Sequence, residues 1–191
     1  MDSTKQVTSE DFQKAADRLG CEVATVRAVT AVESRGAGFD PEGFPRTLFE
    51  GHWFYKLTNG KFATTHPTLC YPKWTRQYYG KGWSQEKNRL NAAIALDREA
   101  ALKSASWGLF QIMGFNHAQC GFDMVQEFVN AMCADEGAQL DAFVSYVITN
   151  KLTEHLKAKN WSEFARKYNG PGYRENKYDT KLQEAYTLYA K

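Results

Sequence analysis

Pro45-Arg-Thr-Leu-Phe-Glu50 has the alternation of a short strand, in a chain whose other patterned segments read as helix. It leads on through Asn59-Gly60, a dipeptide with the backbone freedom of a hairpin turn, so a small β-sheet or hairpin region is expected in the first half. Upstream, Ser9 is placed to cap a helix over about 10–19 that Gly20 ends, and a second helix over about 22–34 runs up to Gly36 and Gly38. Residues 35–45 read as a loop. Downstream, helical periodicity returns at Ser84 and covers about 84–103, 107–113, 122–133, 135–150, 161–168 and 176–190. Helices surrounding one early β-rich segment imply an α+β, mainly α-helical fold, and the missing βαβ alternation argues against nucleotide-binding α/β folds.

The chain has 191 residues, enough to close one hydrophobic core, and no repeat, low-complexity tract or linker suggests a second module. One domain over 1–191, without a separate wall-binding module, is the expectation. A mean hydropathy of -0.56 with 24% charged residues excludes the disordered and membrane classes. Apolar runs such as Phe143-Val-Ser-Tyr-Val-Ile148 are far short of the ~18 residues that span a bilayer. Met1 to Asp11 has neither the basic start nor the apolar segment of a secretory signal, so a cytoplasmic origin is expected. Cys21, Cys70, Cys120 and Cys133 form no C-x-x-C pair and read as reduced thiols, with a Cys120 to Cys133 bridge left open.

Net charge is +2, yet residues 51–90 hold seven Lys or Arg against the single acid Glu86. The same segment carries nine aromatics, including Trp53, Trp74 and Trp83, which suit either sugar faces or a nucleic acid. Near-neutral overall charge and the absence of a recognisable reader fold weigh against nucleic acid. There is no P-loop, G-x-G-x-x-G, H-E-x-x-H, EF-hand loop or G-x-S-x-G, and His52, His66, His117 and His155 stand alone, so neither cofactor nor metal is expected.

Glu33 is the most informative position. It lies four residues after Val29 and seven after Val26, on one apolar stripe near a helix C-terminus, so its carboxyl either faces the interior or, as a helix-end residue, turns to solvent; the interior placement is the one with chemical consequences. Burial and the negative helix end both disfavour the carboxylate and raise its pKa. A carboxylic acid still protonated near neutrality is what cleavage of a glycosidic bond requires, because the leaving oxygen must receive a proton.

Three ordered motifs join this residue. Ala31-Val-Glu-Ser-Arg-Gly36 resembles the Glu-Ser segment bearing the acid in goose-type lysozymes and soluble lytic transglycosylases. Ser106-Trp-Gly-Leu-Phe-Gln-Ile-Met113 resembles their Gly-Leu-x-Gln-Ile segment, and Tyr168-Asn-Gly-Pro-Gly172 their Tyr-Asn-x-Gly segment. With Leu48-Phe-Glu-Gly-His-Trp-Phe-Tyr55 included, nearly the whole chain is similar to the N-acetylmuramidase domain of bacteriophage endolysins.

The resemblance implies a lysozyme-like fold with Glu33 as catalytic acid and Glu50, at the end of the strand-like run, as second carboxylate. Asp40 and Glu42 are rivals for that second role. It also implies Ser106, Gln111, Tyr168 and Asn169 as substrate-binding residues, with the Gln111 amide turned to sugar groups and the Tyr168 phenol orienting Glu33. The implied activity is hydrolysis of the β-1,4 bond between N-acetylmuramic acid and N-acetylglucosamine in peptidoglycan, by a monomer without cofactor, metal, nucleic acid or stable membrane insertion. A cytoplasmic endolysin would reach the wall when a separate phage pore opens the inner membrane. The alternatives are a lytic transglycosylase making anhydro-muramic products and a non-catalytic glycan-binding protein on the same fold.

Overall fold

The computed structural model describes residues 3–34 and 36–191; Met1, Asp2 and Arg35, the last from the Glu-Ser motif, lie outside it. Helix α1 (Ser9–Leu19) begins at Thr8, not Ser9: the Thr8 hydroxyl accepts from the Asp11 amide while the Asp11 carboxylate accepts from the Thr8 amide. Gly20, at φ +63°, ends it by donating to the carbonyls of Ala16 and Asp17. Helix α2 (Val23–Glu33) buries Thr25, Val26, Ala28, Val29 and Thr30 and packs between α1 and the last helix, α10 (Tyr178–Tyr189).

Strand β1 (Thr47–Phe49) is the expected one, but its partners lie in the second half. Strands β2 (Ala105–Trp107) and β3 (Ile112–Met113) complete an antiparallel sheet in the order β1-β2-β3, pairing Leu48 with Ser106 and Ser106 with Met113. Residues 107–113 are therefore a hairpin, not the helix their apolar spacing suggests. Gly108 and Gln111, at φ +68° and +50°, supply left-handed turns that a helix would not contain. The sheet continues as irregular ladder, since the Arg46 amide donates to Gly38 and the Gly108 amide to the Arg46 carbonyl, both at 2.8 Å.

Asn59-Gly60 makes no hairpin either. The chain leaves β1 directly into α3 (Gly51–Leu57), and Gly60 closes that helix by donating to the Tyr55 carbonyl. The positive φ of both residues serves a helix stop. The segment read as helix 84–103 is two helices, α4 (Trp83–Leu96) and α5 (Arg98–Lys103), because Asp97 is extended and caps the second through the Ala100 amide. Then follow α6 (Val125–Ala134), α7 (Glu136–Thr149), the short α8 (Thr153–Lys157), which periodicity did not signal, and α9 (Trp161–Asn169) before α10.

One contiguous core links these elements, with Phe49, Phe54, Phe128, Phe143 and Phe164 fully buried, each contributing roughly 1.5–3 kcal/mol by leaving water. All four cysteines are free, with Cys120 buried and Cys133 exposed, so the 120–133 bridge is not formed. Among the described residues no helix is long and apolar enough to cross a membrane.

Candidate active site

Glu33 is the last residue of α2. It retains some solvent access but is mostly surrounded by protein, and burial pushes its carboxyl up to about 7 from an ordinary 4.5. The opposing influences are weaker: a hydrogen bond from the Asn169 amide Nδ2 to Oε1 at 2.9 Å, and the Lys181 charge on α10. Among the described residues a neutral amide rather than a cation bonds this acid, which is why burial prevails.

Tyr168 comes to the same place by packing. Its ring stacks on Phe164 at 5.6 Å and meets Phe143 edge-on at 5.5 Å, while Phe143 stacks on Phe110 at 4.2 Å. Burial foremost, and then the Glu33 charge, holds the phenol well above its ordinary range. The hydrogen bond that orients Glu33 is supplied by Asn169, however, and not by this phenol. The Phe110–Phe143–Tyr168 chain of rings thus joins the Gly-Leu-Phe-Gln motif to the Tyr-Asn motif beside the acid.

Gln139 makes a second joint. Its side chain is buried, with Oε1 accepting from the Leu109 amide at 2.7 Å and Nε2 donating to the Met132 carbonyl at 2.8 Å. Gly38, five residues past Glu33, and Gly108 both lie against it, and a Cβ at Gly108 would stand 2.7 Å from its amide carbon. Glu136, one turn earlier on α7, accepts from the Gly38 amide at 2.7 Å. These polar positions interrupt the apolar run of α7, which is a signal the sequence does carry.

Gln111 and Ser106 bind each other. The Ser106 hydroxyl donates to Gln111 Oε1 at 2.9 Å, and Gln111 Nε2 donates to the carbonyls of Gly108 and Arg46 at 2.9 and 3.2 Å. Both amide hydrogens are thereby committed to bracing the hairpin, which leaves this side chain a positioning role. Ser106 itself is buried.

Glu50 follows β1 and, by strand alternation, shares the face of Leu48 and Ser106, opposite the core face of Phe49 and Trp107. Its Oε1 accepts from the Tyr79 phenol at 2.7 Å. His52 Nδ1 sits 3.3 Å from Oε2, yet neither atom has an aligned hydrogen-bond partner and both are buried. Burial, outweighing Glu50, holds His52 below its usual value and so favours the neutral imidazole. Burial and the neighbouring carboxylate raise the Tyr79 phenol, which stays a donor. Neither Tyr79 nor His52 was singled out by sequence; Tyr79 stands 29 residues from its partner in irregular chain and carries no local signal.

The rival carboxylates have other occupations. Asp40 accepts from the amides of Glu42 and Phe44 at 2.8 and 3.0 Å and shapes its own loop. Glu42 is exposed and 3.7 Å from Lys87 Nζ. Among the described residues no three His, Cys, Asp or Glu side chains group as metal ligands.

The arrangement is therefore an acid poised near neutrality on a helix end, with a second carboxylate at the rim of a small sheet. The family described as muramidase, N-acetylmuramidase, matches residues 22–190. Among solved structures, the crystal structure of Burkholderia AP3 phage endolysin is similar at a TM-score of 0.91 and 42% identity, over 100% of this chain and 73% of that one. No curated protein gives a match. With nearly the whole chain matched and Tyr168 and Asn169 of the last motif set at one poised acid, the chain belongs to the N-acetylmuramidase family.

Proposed function

We propose that this glycoside hydrolase is an endolysin that cuts the β-1,4 bond between N-acetylmuramic acid and N-acetylglucosamine in peptidoglycan, with residues 1–191 acting as one catalytic domain. The observation that carries this reading is the Glu33 carboxyl, shifted to about 7 by burial and held through Oε1 by a neutral amide. In that state Glu33 gives its proton to the glycosidic oxygen as the bond breaks. Positive charge then develops on the sugar, and a carboxylate at Glu50 either stabilises it or takes the proton of an attacking water. Tyr79 fixes the orientation of this carboxylate by donating to Oε1 at 2.7 Å, while Oε2 lies buried 3.3 Å from His52 Nδ1. Asn169 and Tyr168 support the acid, and Ser106 and Gln111 brace the hairpin that the Phe110–Phe143–Tyr168 rings join to it. Family membership makes the bacterial cell wall the place of action.

Mass spectrometry of muropeptides released from purified wall, with the new ends reduced, tests the bond and the chemistry together. Hydrolysis by a muramidase leaves reducible N-acetylmuramic acid ends, and Glu50→Gln sharply lowers their yield without unfolding the protein. Reducible N-acetylglucosamine ends would refute the bond assignment. Predominantly anhydro-muramic ends would replace the hydrolase by a transglycosylase, in which the sugar's own hydroxyl attacks. Release of no fragment would leave a glycan-binding protein. Full activity in Glu50→Gln with normal ends would remove Glu50 from the second role.

A further inference from the structure

Trp83 opens α4 with 45% of its surface exposed, and the Arg46 guanidinium lies 4.6 Å from its ring centroid. Trp53, in the same basic segment, is packed on Phe115 at 4.6 Å, and the exposed Trp74 borders neither hollow beside Trp83. Trp83 borders both: a cavity of about 250 Å³ and another of about 410 Å³, which also share Arg46 and Thr47.

The smaller cavity is walled by Ala37, Leu48, Gly108 and Gln111. Ala37 is four residues past Glu33, and Leu48 is two before Glu50 on the same sheet face. The hollow therefore adjoins both segments that carry the carboxylates, and it has room for one sugar ring rather than for a strand. An indole beside such a hollow presents an apolar, electron-rich face, matched by the C–H face of a pyranose. Arg46 lies over the ring, and the part of Trp83 left exposed borders the two hollows. Gly80 and Gly82, on the approach to Trp83, also line the cavity and put no side chain in the way.

We infer that Trp83 is the platform of a saccharide subsite next to the cleavage point, taking one N-acetylhexosamine residue of the glycan strand. This rests on the muramidase reading above, so its test is a binding measurement independent of turnover. Peptide-free glycan strands are titrated calorimetrically into the Glu33→Gln protein. Replacing Trp83 by Ala or by Leu in that protein weakens binding about tenfold, because aliphatic bulk lacks a ring face, while Trp83→Phe retains most of the affinity. Trp74→Ala leaves it unchanged. In the active enzyme Trp83→Ala raises KM about tenfold and leaves kcat at saturation within twofold.

The indole N–H resonance of Trp83 itself, followed by NMR in Glu33→Gln, shifts as strands are added and needs no change at this position. An unmoved resonance, or a leucine variant that binds as tightly as its parent, overturns the subsite. A Glu33→Gln protein that still cleaves wall at over half the normal rate refutes the function proposed for Glu33, and the strand affinities then still decide the role of Trp83.

Discussion

A buried acid donates well only while its proton survives to working pH, and Glu33 meets this through its surroundings rather than through a charged partner. Glu33→Gln keeps the shape and removes the proton, so wall lysis falls about 100-fold or more in a turbidity assay. The same site sets a pH limit. The Glu33 value rises from 4.5 to about 7 on folding, so its contribution to stability is fully present below 4.5 and is lost as pH rises through 7. Across that window the wild type loses up to ~3 kcal/mol relative to Glu33→Gln. Melting both proteins at pH 4 and pH 8 checks this: the variant gains on the wild type at the higher pH, and lysis by the wild type declines above about pH 7. Among the described residues the groups facing Glu33 are the Asn169 amide, the Tyr168 phenol and Lys181. For the second carboxylate, Tyr79→Phe frees Glu50 Oε1 while keeping the ring. It should lower kcat about tenfold with little change in KM, since a hydrogen bond to a charged group is worth about 1.5–3 kcal/mol. Equal kinetics in the two proteins would leave Tyr79 with only a packing role.

At the scale of elements, α7 ties the loop after Glu33 to the β2–β3 hairpin, with Glu136 holding the Gly38 amide and Gln139 the Leu109 amide. Gln139→Leu leaves the Leu109 amide and the Met132 carbonyl buried without that partner, a loss of about 2–4 kcal/mol in urea unfolding. A change under 0.5 kcal/mol would mean water replaces the amide. What could be read in the sequence follows the same division between local and distant causes. The stripe of Val26, Val29 and Glu33 lies on one helix and states its burial in its own spacing. The hairpin does not: Trp107, Leu109, Phe110 and Ile112 are spaced well enough for a helix. Their strand character comes from Arg46, whose carbonyl is reached by Gln111 across 65 residues, and from left-handed turns at Gly108 and Gln111. Asn59-Gly60 displayed its conformational freedom but not its use, because α3 had no clear polar face to announce it. In the candidate site, Glu33 stands out from its own helix stripe and Gln111, Tyr168 and Asn169 from the motif resemblance, whereas the Tyr79–Glu50 contact depends on an irregular stretch without periodicity.

Across the whole molecule the charge is uneven although its sum is +2, with six excess positive charges in 51–90 and four in 151–191. If these cations draw the enzyme to an anionic envelope, lysis of permeabilised cells falls as salt shortens the screening length below ~10 Å. Lysis that is constant from low to physiological salt would show that the asymmetry does not guide binding. The Asn169 contact with Glu33 spans 136 residues, and α10 lies along α2 from the far end of the chain. During synthesis, then, the helix bearing the acid leaves the ribosome long before the amide and rings that complete its setting. A nascent chain holds its acid in water, where the carboxyl is ionised and has no proton to give. The raised value of Glu33 appears only once Asn169 and the last helix have packed against α2.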